Sequence, residues 1–600
     1  MRVLRHSTSE GQLPFVVQRA SPPRSTFRIL RLWRSMPRFL RNVFVIILVI
    51  VTIGLVYNIS AIRSSQQSSF SDLLGRQVNR PNQVAIPPAA QVFDDLSQNA
   101  NNAIADFDQV DDAKQRLIDA NAAQNNAAPA AAPRRANLLP PTYPRFKGPQ
   151  NERQREVVDA FKHAWNGYKK HAWGHDSLKP ISKGYSEWFG TGLTIVDSLD
   201  TMVIMGLDDE FEEARTWVSE NLTFDKPVFV NFFEMTIRML GGLLSAFHLT
   251  DDKLFVDKAT DLCNRLTGAY TSASPIPYSD VNLQSGSSKQ PSWGGESSLS
   301  EVTTVQLEFR DLSRVINNST FEDLAFGTSK HIHNIGCEKY DGLCGMFINP
   351  KTGQFRHKPT ITMGARSDSY YEYLLKQWLQ TGKSIDWLRD DYNKSMMAME
   401  KHLVRQSEPN KLTFVGEILP GGAYSPKMDH LACFVAGSLA LGAMNGFPKS
   451  HLELAKKIGE GCQRMYQTPT GLWPEIIHFS QEKDVKDDIV IKPLDAHCLL
   501  RPEAIEAWFY LYRATGDKIY QEWGWNALQA LNKHAKVADG YSSVVSVKRI
   551  PVSYMDMMES FFLSETLKYL YLLLADDQSE IPLDKFVFNS EGHPLPVYDH

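Results

Sequence analysis

From residue 149 to the end of the chain, apolar residues recur every three or four positions, the spacing of amphipathic helices rather than the alternation of strands. The helical runs end in polar turns of similar texture: Gly206–Asp209 before "EFEEA", Leu249–Asp252 before "KLFVDKA" and Ile316–Thr320 before "FEDLA". Thr381–Ser384, Asn445–Ser450 before "HLELA" and Thr515–Lys518 before "IYQEW" follow, and a last helix ends at Ala575–Asp577. These seven ends lie mostly some 60–70 residues apart. Near-equal units of two helices predict one ring of helical hairpins rather than separate domains. Strand-like stretches are few and short, so the expected class is all-α, with residues 149–600 as one domain.

Several of these helices carry acids where apolar residues are expected. "LLRPEAIEAWFYLYRATGD" predicts a helix entered at Pro502, which lacks only an N–H that would be unpaired there anyway, and stopped at Gly516. Glu503 and Glu506 share one face of its first turn, where acids also offset the helix dipole. Glu234 and Arg238, four apart in "VFVNFFEMTIRMLGGLLSAF", read equally well as a structural ion pair. Asp368 in "MGARSDSYYEYLLKQW" could cap its helix. Glu565 in "MESFFLSETLKYLYLLL", and Asp197 and Asp200 in "TIVDSLDTM", repeat the pattern. A buried charge costs several kcal/mol unless it is paired or used. A ring of hairpins aims its inner helices at one axis, so these acids would converge. Converging carboxyls suit glycoside hydrolysis, in which one protonates the leaving oxygen and another activates water or attacks the sugar. Phe561, Phe562 and Trp293 could stack on sugar faces or simply fill core.

The N-terminal pattern differs. Asn42–Ile62 contains no charged residue, and its 21 residues at about 1.5 Å each span one bilayer core. Nine arginines and a single acid, Glu10, precede it. The positive-inside rule therefore keeps residues 1–41 cytoplasmic and sends the rest into a lumen. A cleaved signal peptide is the alternative, weakened by the late position of the run and the lack of a clear cleavage site. Residues 63–148, rich in Asn, Gln, Ala and Pro, read as a disordered stalk.

Composition adds exclusions. The chain is 43% hydrophobic and 22% charged with a net charge of −4, and it has no low-complexity basic tail or zinc-type Cys/His spacing, so nothing points to nucleic acid. Six cysteines, Cys263, Cys337, Cys344, Cys433, Cys462 and Cys498, fall in the lumenal part, where disulfides form; fifteen pairings are open if all are used. Sequons at Asn221, Asn317, Asn318 and Asn393 fit the same compartment, while one at Asn58 lies close to the membrane.

The blocks "GLTIVDSLDTM", "FEMTIRMLGGLLSAFHLT", "EVTTVQLEFRDLSR", "GARSDSYYEYLLKQW", "KMDHLACF", "LLRPEAIEAWFYLYRATGD", "ESFFLSETLKYLYLLL" and "VFNSEGHPLP" closely resemble, in order, those of the class I α-1,2-mannosidases, glycoside hydrolase family 47. The resemblance covers about residues 150–600. It implies an (α/α)7 barrel and a Ca²⁺-dependent inverting hydrolase that trims terminal α-1,2-linked mannose from high-mannose N-glycans. By the same resemblance Glu234 is the general acid and Glu503 the base that activates water. Asp368 is essential as acid or as water-orienting carboxylate. His430 lines the cavity, Phe561 forms its floor, and Arg238 and Arg366 hold sugar hydroxyls or tune the acids. Inversion needs room for a water between acid and base, about 6.5–9.5 Å. The family's disulfide falls on Cys433 and Cys462, leaving the other four cysteines unassigned.

No calcium loop is visible from spacing. In the family one threonine binds Ca²⁺ through its hydroxyl and carbonyl oxygens; the matching residue here is Ser590, with Glu506, Glu565 and Glu591 around it and Gly592 where the family usually has alanine. Golgi-type relatives carry leucine at the position of Arg366, so the arginine points to specificity of the endoplasmic-reticulum type; the expected residence is that membrane, with the anchor itself not deciding against the Golgi. A Golgi enzyme with broader trimming, and a weakly catalytic glycan-binding factor on the same fold, are the alternatives.

Overall fold

A computed structural model describes residues 146–291 and 294–598. The expected cytoplasmic arm (1–41), the anchor (42–62), nearly all of the stalk (63–148) and Trp293 lie outside the described residues. Among the described residues no helix is long and apolar enough to cross a membrane. The helical domain begins slightly earlier than the sequence pattern indicates. Phe146 already packs against the core, and Gly148 is buried beside Met205 and Gly206.

In chain order the helices are α1 (Glu152–His171), α2 (Leu193–Asp197), α3 (Leu199–Met205), α4 (Asp208–Asn221), and α5, which runs through Phe232–Glu234, the π-helical Met235–Leu240 and Gly241–Thr250. Then come α6 (Lys253–Leu266), α7 (Leu299–Thr303), α8 (Gln306–Val315), α9 (Thr320–Ile335), α10 (Asp368–Gln380) and α11 (Asp386–His402). The last are α12 (Phe434–Met444), α13 (Lys449–Arg464), α14 (Glu503–Thr515), α15 (Ile519–His534), and α16, formed by the π-helical Phe562–Thr566 and Leu567–Leu573.

Helices α3, α5, α8, α10, α12, α14 and α16 each touch the next, and α16 returns to α3, so the contacts close a ring. A second helix packs on each: α4, α6, α9, α11, α13 and α15 on the ring helix before them, and α1 on α16. Burial explains the two layers. Every residue from Phe434 to Gly442 in α12 and from Ser369 to Gln380 in α10 is buried, as a helix enclosed on all sides must be. In contrast, α4 buries only Ala214 and Val218, and α13 buries one stripe that includes His451, Ala455, Ile458 and Cys462. Six of the polar turns noted in the sequence join the members of a pair. The seventh pair is made by the first and last helices of the described domain.

The helix read from Pro502 starts one residue later, with Pro502 as its N-cap, and stops at Gly516 with φ +70°. Strands form eight small antiparallel sheets of two or three strands among the described residues. One matters for function. The hairpin of Phe586–Phe588 and Pro594–Pro596 packs on α5, α8 and α10. Cys433–Cys462 ties the start of α12 to α13, and Cys337–Cys344 closes the loop after α9; Cys263 and Cys498 are buried free thiols.

Candidate active site

The tip of that hairpin, Asn589–His593, is held from below by one side chain. The Asn589 amide donates to the Ile237 carbonyl (2.9 Å) and to Glu308 Oε1 (2.8 Å), while its oxygen accepts the N–H groups of Glu591 (2.9 Å) and His593 (2.8 Å). Gly592 sits at φ +71°, where an L side chain is strained, which explains glycine at this turn. The result is Ser590 pointing inward, its hydroxyl donating to Glu372 Oε2 at 2.9 Å.

Around Ser590 is a cavity of about 360 Å³. Among its lining residues are Glu234, Arg238, Arg366, Asp368, Glu503, Glu506, Phe561, Glu565 and Glu591, so nearly every residue singled out in the sequence meets there. They come from the N-terminal turns of α5, α10 and α14, from the π-helical turns of α5 and α16, from the residues just before α10 (Arg366) and α16 (Phe561), and from the hairpin. π-Helical turns recur at functional sites because the extra residue re-aims side chains. Here one follows Glu234 and contains Arg238, and the other contains Glu565. Arg366 holds φ +77°, an unfavourable conformation for an L residue, with its carbonyl accepting the Ser300 N–H at 3.0 Å.

His430 departs from the expectation. It does not line the cavity but is fully buried behind Glu503, to which its Nδ1 bonds at 2.8 Å, while Nε2 meets the Tyr466 hydroxyl at 3.0 Å and Trp473 stacks 5.6 Å away. His430 opens the 3-10 turn His430–Cys433 with its ring packed inward, so it orients a carboxylate rather than a sugar. Phe562, too, is core, whereas Phe561 faces the cavity with the Arg501 and Arg238 guanidinium carbons 5.3 and 5.6 Å from its ring centre.

The carboxyls are differentiated by their partners. Burial alone would raise Glu503, but the His430 hydrogen bond and charge, with Arg501 nearby, hold it below its ordinary value. Burial pushes Asp368 up to about 7, past the downward pull of the Ser300 hydroxyl (2.8 Å) and the Ser369 N–H (2.9 Å). Glu234 accepts Arg238 Nε at 2.9 Å and is held by Asn231, whose side chain caps its N–H at 3.0 Å. Arg238 also reaches Glu591 and Ser560. Burial likewise raises Glu506, to about 8 despite Lys376, and lifts Glu565 and Glu591 well above the carboxylate range, with neighbouring carboxylates adding to the rise.

Beneath the hairpin lies a second acid cluster. Asp200 Oδ2 accepts from Lys568 (2.8 Å), His593 Nδ1 (2.9 Å) and Ser245 (3.0 Å), and Asp197 meets His593 Nε2 (3.1 Å) and Ser564 (3.1 Å). Both ring nitrogens of His593 face carboxylates, which requires an imidazolium; its pKa is raised, the two aspartates outweighing burial and Lys568. Sequence reasoning grouped Asp197 and Asp200 with the cavity acids. The structure places them outside its lining, as a compensated support for the turn.

Three charged lining residues were missed, Glu372, Arg501 and Glu301. Glu372 and Lys376 are a buried i,i+4 pair one turn beyond Asp368, visible in "DSYYEYLLK" as charges inside an apolar run. Arg501 adjoins Pro502 and donates to Glu475; nothing in its local pattern marks it. Among the described residues no group of three or more His, Cys, Asp or Glu could hold a metal ion by itself. The surroundings of Ser590 nevertheless fit a hard cation. Carboxyl and hydroxyl oxygens surround it, the carboxyls outnumber the nearby cations Lys376 and Arg238, and the buried hydroxyls of Tyr510 and Tyr569, near Glu506, lack hydrogen-bond partners among the described residues.

A cavity lined by carboxyls in different environments meets the requirement of acid–base glycoside hydrolysis for a pair of them. The profile described as glycosyl hydrolase family 47 matches residues 160–597, and the chain belongs to this family. It is 54% identical over 455 residues to the endoplasmic reticulum mannosyl-oligosaccharide 1,2-alpha-mannosidase of Rattus norvegicus, covering 75% of this chain and 69% of the relative. The Homo sapiens protein of the same name is 53% identical over 453 residues, covering 75% and 64% respectively. Among solved structures, an alpha-1,2-mannosidase from Trichoderma reesei superposes with a TM-score of 0.70 at 28% identity, covering 75% of this chain and all of that one.

Proposed function

We propose that this protein is an inverting exo-α-1,2-mannosidase that removes terminal α-1,2-linked mannose from high-mannose N-glycans, taking Man9 to Man8. Residues 1–41 form its cytoplasmic arm, 42–62 its anchor in the endoplasmic reticulum membrane, 63–148 its lumenal stalk, and the ring of helices an (α/α)7 catalytic barrel. The observation that carries the reading is two carboxyls with different partners in one cavity: Glu503, bonded to His430, is held below the ordinary range, and Asp368, bonded to Ser300 and the Ser369 N–H, is pushed above it by burial.

Glu503, kept ionised and oriented by His430, takes a proton from the attacking water. A partner carboxyl must deliver one to the departing oxygen. Burial of Asp368 lets it hold this proton near neutral pH. Glu234 then steers the delivery from the same cavity. Phe561 offers its ring to the face of the cleaved mannose. Arg366, with its forked donors, selects the branch. Ser590 would hold Ca²⁺ through its hydroxyl and carbonyl oxygens, with Glu506, Glu565 and Glu591 around it, and a bound cation there would supply positive charge against these carboxyls.

Digestion of Man9 by the full-length protein, with product mapping and NMR of the released sugar, tests this. One dominant Man8 isomer and β-mannose as first product are expected. Release of α-mannose would overturn the inverting mechanism, and no release would overturn the enzyme reading.

A further inference from the structure

A second concavity runs along α4, from Asp209 to Asn221, beside the C-terminal end of α1. Its volume is about 730 Å³, within the about 300–1,000 Å³ of small-molecule sites. Two half-buried indoles, Trp173 and Trp217, form its apolar surface. Trp173 is braced edge-on by Trp165, 5.5 Å away at 82°, and Trp217 lies so close to Gly174 and Gly192 that neither has room for a Cβ. Both rings are therefore fixed before any ligand arrives. Asp209, Glu213, Trp217 and Glu220 follow one another along a single face of α4, and Asn221 ends that helix at the lip of the groove.

Asn221 is the acceptor of a sequon whose Thr223 is also exposed, and Leu222 between them is extended. Asn221 lies one turn beyond Trp217, about 6 Å along the axis, so a sugar attached to its amide nitrogen starts within reach of the indole. The groove carries four carboxylates against one ammonium, that of Lys169, which is paired with Glu213 at 2.7 Å. That charge disfavours an anion. It suits a neutral ligand whose hydroxyls and amides donate to carboxylates while its C–H face lies on an aromatic ring. We propose that Asn221 carries an N-glycan whose first N-acetylglucosamine residues dock in this groove against Trp217 and Trp173, as a structural ligand separate from the substrate cavity. The proposal rests on the lumenal orientation given above.

The test uses full-length protein made in a eukaryotic secretory host. Peptide N-glycanase digestion in ¹⁸O-water with peptide mass spectrometry gives occupancy and release rate at each sequon, before and after denaturation. Asn221 is expected to be occupied and released about tenfold more slowly from native than from denatured protein, a factor equivalent to about 1.4 kcal/mol. Trp217→Ala should abolish most of that protection with mannosidase activity retained; if this variant fails to fold, Trp173→Ala carries the comparison. An unmodified Asn221 beside an occupied Asn317, Asn318 or Asn393 overturns the docked glycan and leaves the lumenal reading standing. No glycan at any sequon overturns both. An occupied Asn221 with equal native and denatured rates, or with rates the tryptophan variants do not change, overturns the groove.

Discussion

Asp197 and Asp200 beneath the hairpin, and Glu506, Glu565 and Glu591 at and around its tip, are all deeply buried, yet their pKa values are shifted in opposite directions. The aspartates lie below their ordinary value, Asp200 at about 2, because His593, Lys568 and Arg238 outweigh the burial that opposes ionisation. The glutamates lie above theirs, since burial is reinforced by neighbouring carboxylates and incompletely answered by cations. Burial is common to both groups, so the partner set decides the sign. A compensated cluster serves the fold. An uncompensated one is held open for something that arrives, a cation or a proton in transit.

The largest effect should come from the cavity side. Glu503→Gln is expected to lower kcat by about 10²–10⁴, the usual worth of a general base, with little change in the unfolding midpoint. Retention of more than a tenth of the turnover would remove Glu503 from the role, and a collapsed midpoint would place it with the structural acids instead.

The opposite pattern is expected below the hairpin. Lys568→Met leaves Asp200 buried and underpaired, and should cost about 3–5 kcal/mol in denaturant unfolding. Adding Asp200→Asn to that variant should recover part of the loss. The stability due to Asp200 is present above the ordinary aspartate pKa of ~3.9 and is lost as pH falls toward its folded value of about 2. If Lys568→Met proved neutral in unfolding, the two clusters would not differ as described.

Calcium sharpens the contrast next. Removal of Ca²⁺ by a chelator should abolish activity and lower stability by about 2.7 kcal/mol relative to protein at a hundredfold excess over Kd. Ser590→Ala should weaken this stabilisation markedly, and Ser590→Thr should keep or modestly strengthen it, since the γ-methyl restricts the hydroxyl rotamer. A thermal midpoint indifferent to Ca²⁺ in wild-type protein would sink the assignment.

The smallest expected effect is a shift in a pH profile. If Asp368 holds the departing proton, kcat/KM falls as pH rises through about 7, where the acid form is lost. Ser300→Ala removes a hydrogen bond that favours the ionised form, so the alkaline limb should move upward by up to about one unit. A downward shift would show that the hydroxyl acts otherwise.

Much of this was legible without coordinates. Acids lodged in apolar helices, such as Glu234, Glu565 and Glu503, stand out because burial makes an unneeded charge expensive, and the polar turns mark where helix pairs reverse. The resemblance of "VFNSEGHPLP" to its family drew attention to Ser590, which no spacing rule marks. The sequence could not sort the acids it exposed. Asp200 and Glu506 look alike as letters, each a carboxylate three residues from another in a helical run. His430 reads as well for a cavity wall as for a buried strut.

The local pattern of the chain determined that it forms paired helices and which side chains are costly to bury, because both follow from neighbours within a few residues. Which acids are matched by cations was decided only when the ring closed. His593 and Lys568 reach Asp200 across separations of 393 and 368 residues, and His430 meets Glu503 across 73. A pKa depends on charges within a few ångströms in space, and a one-dimensional pattern does not contain those distances.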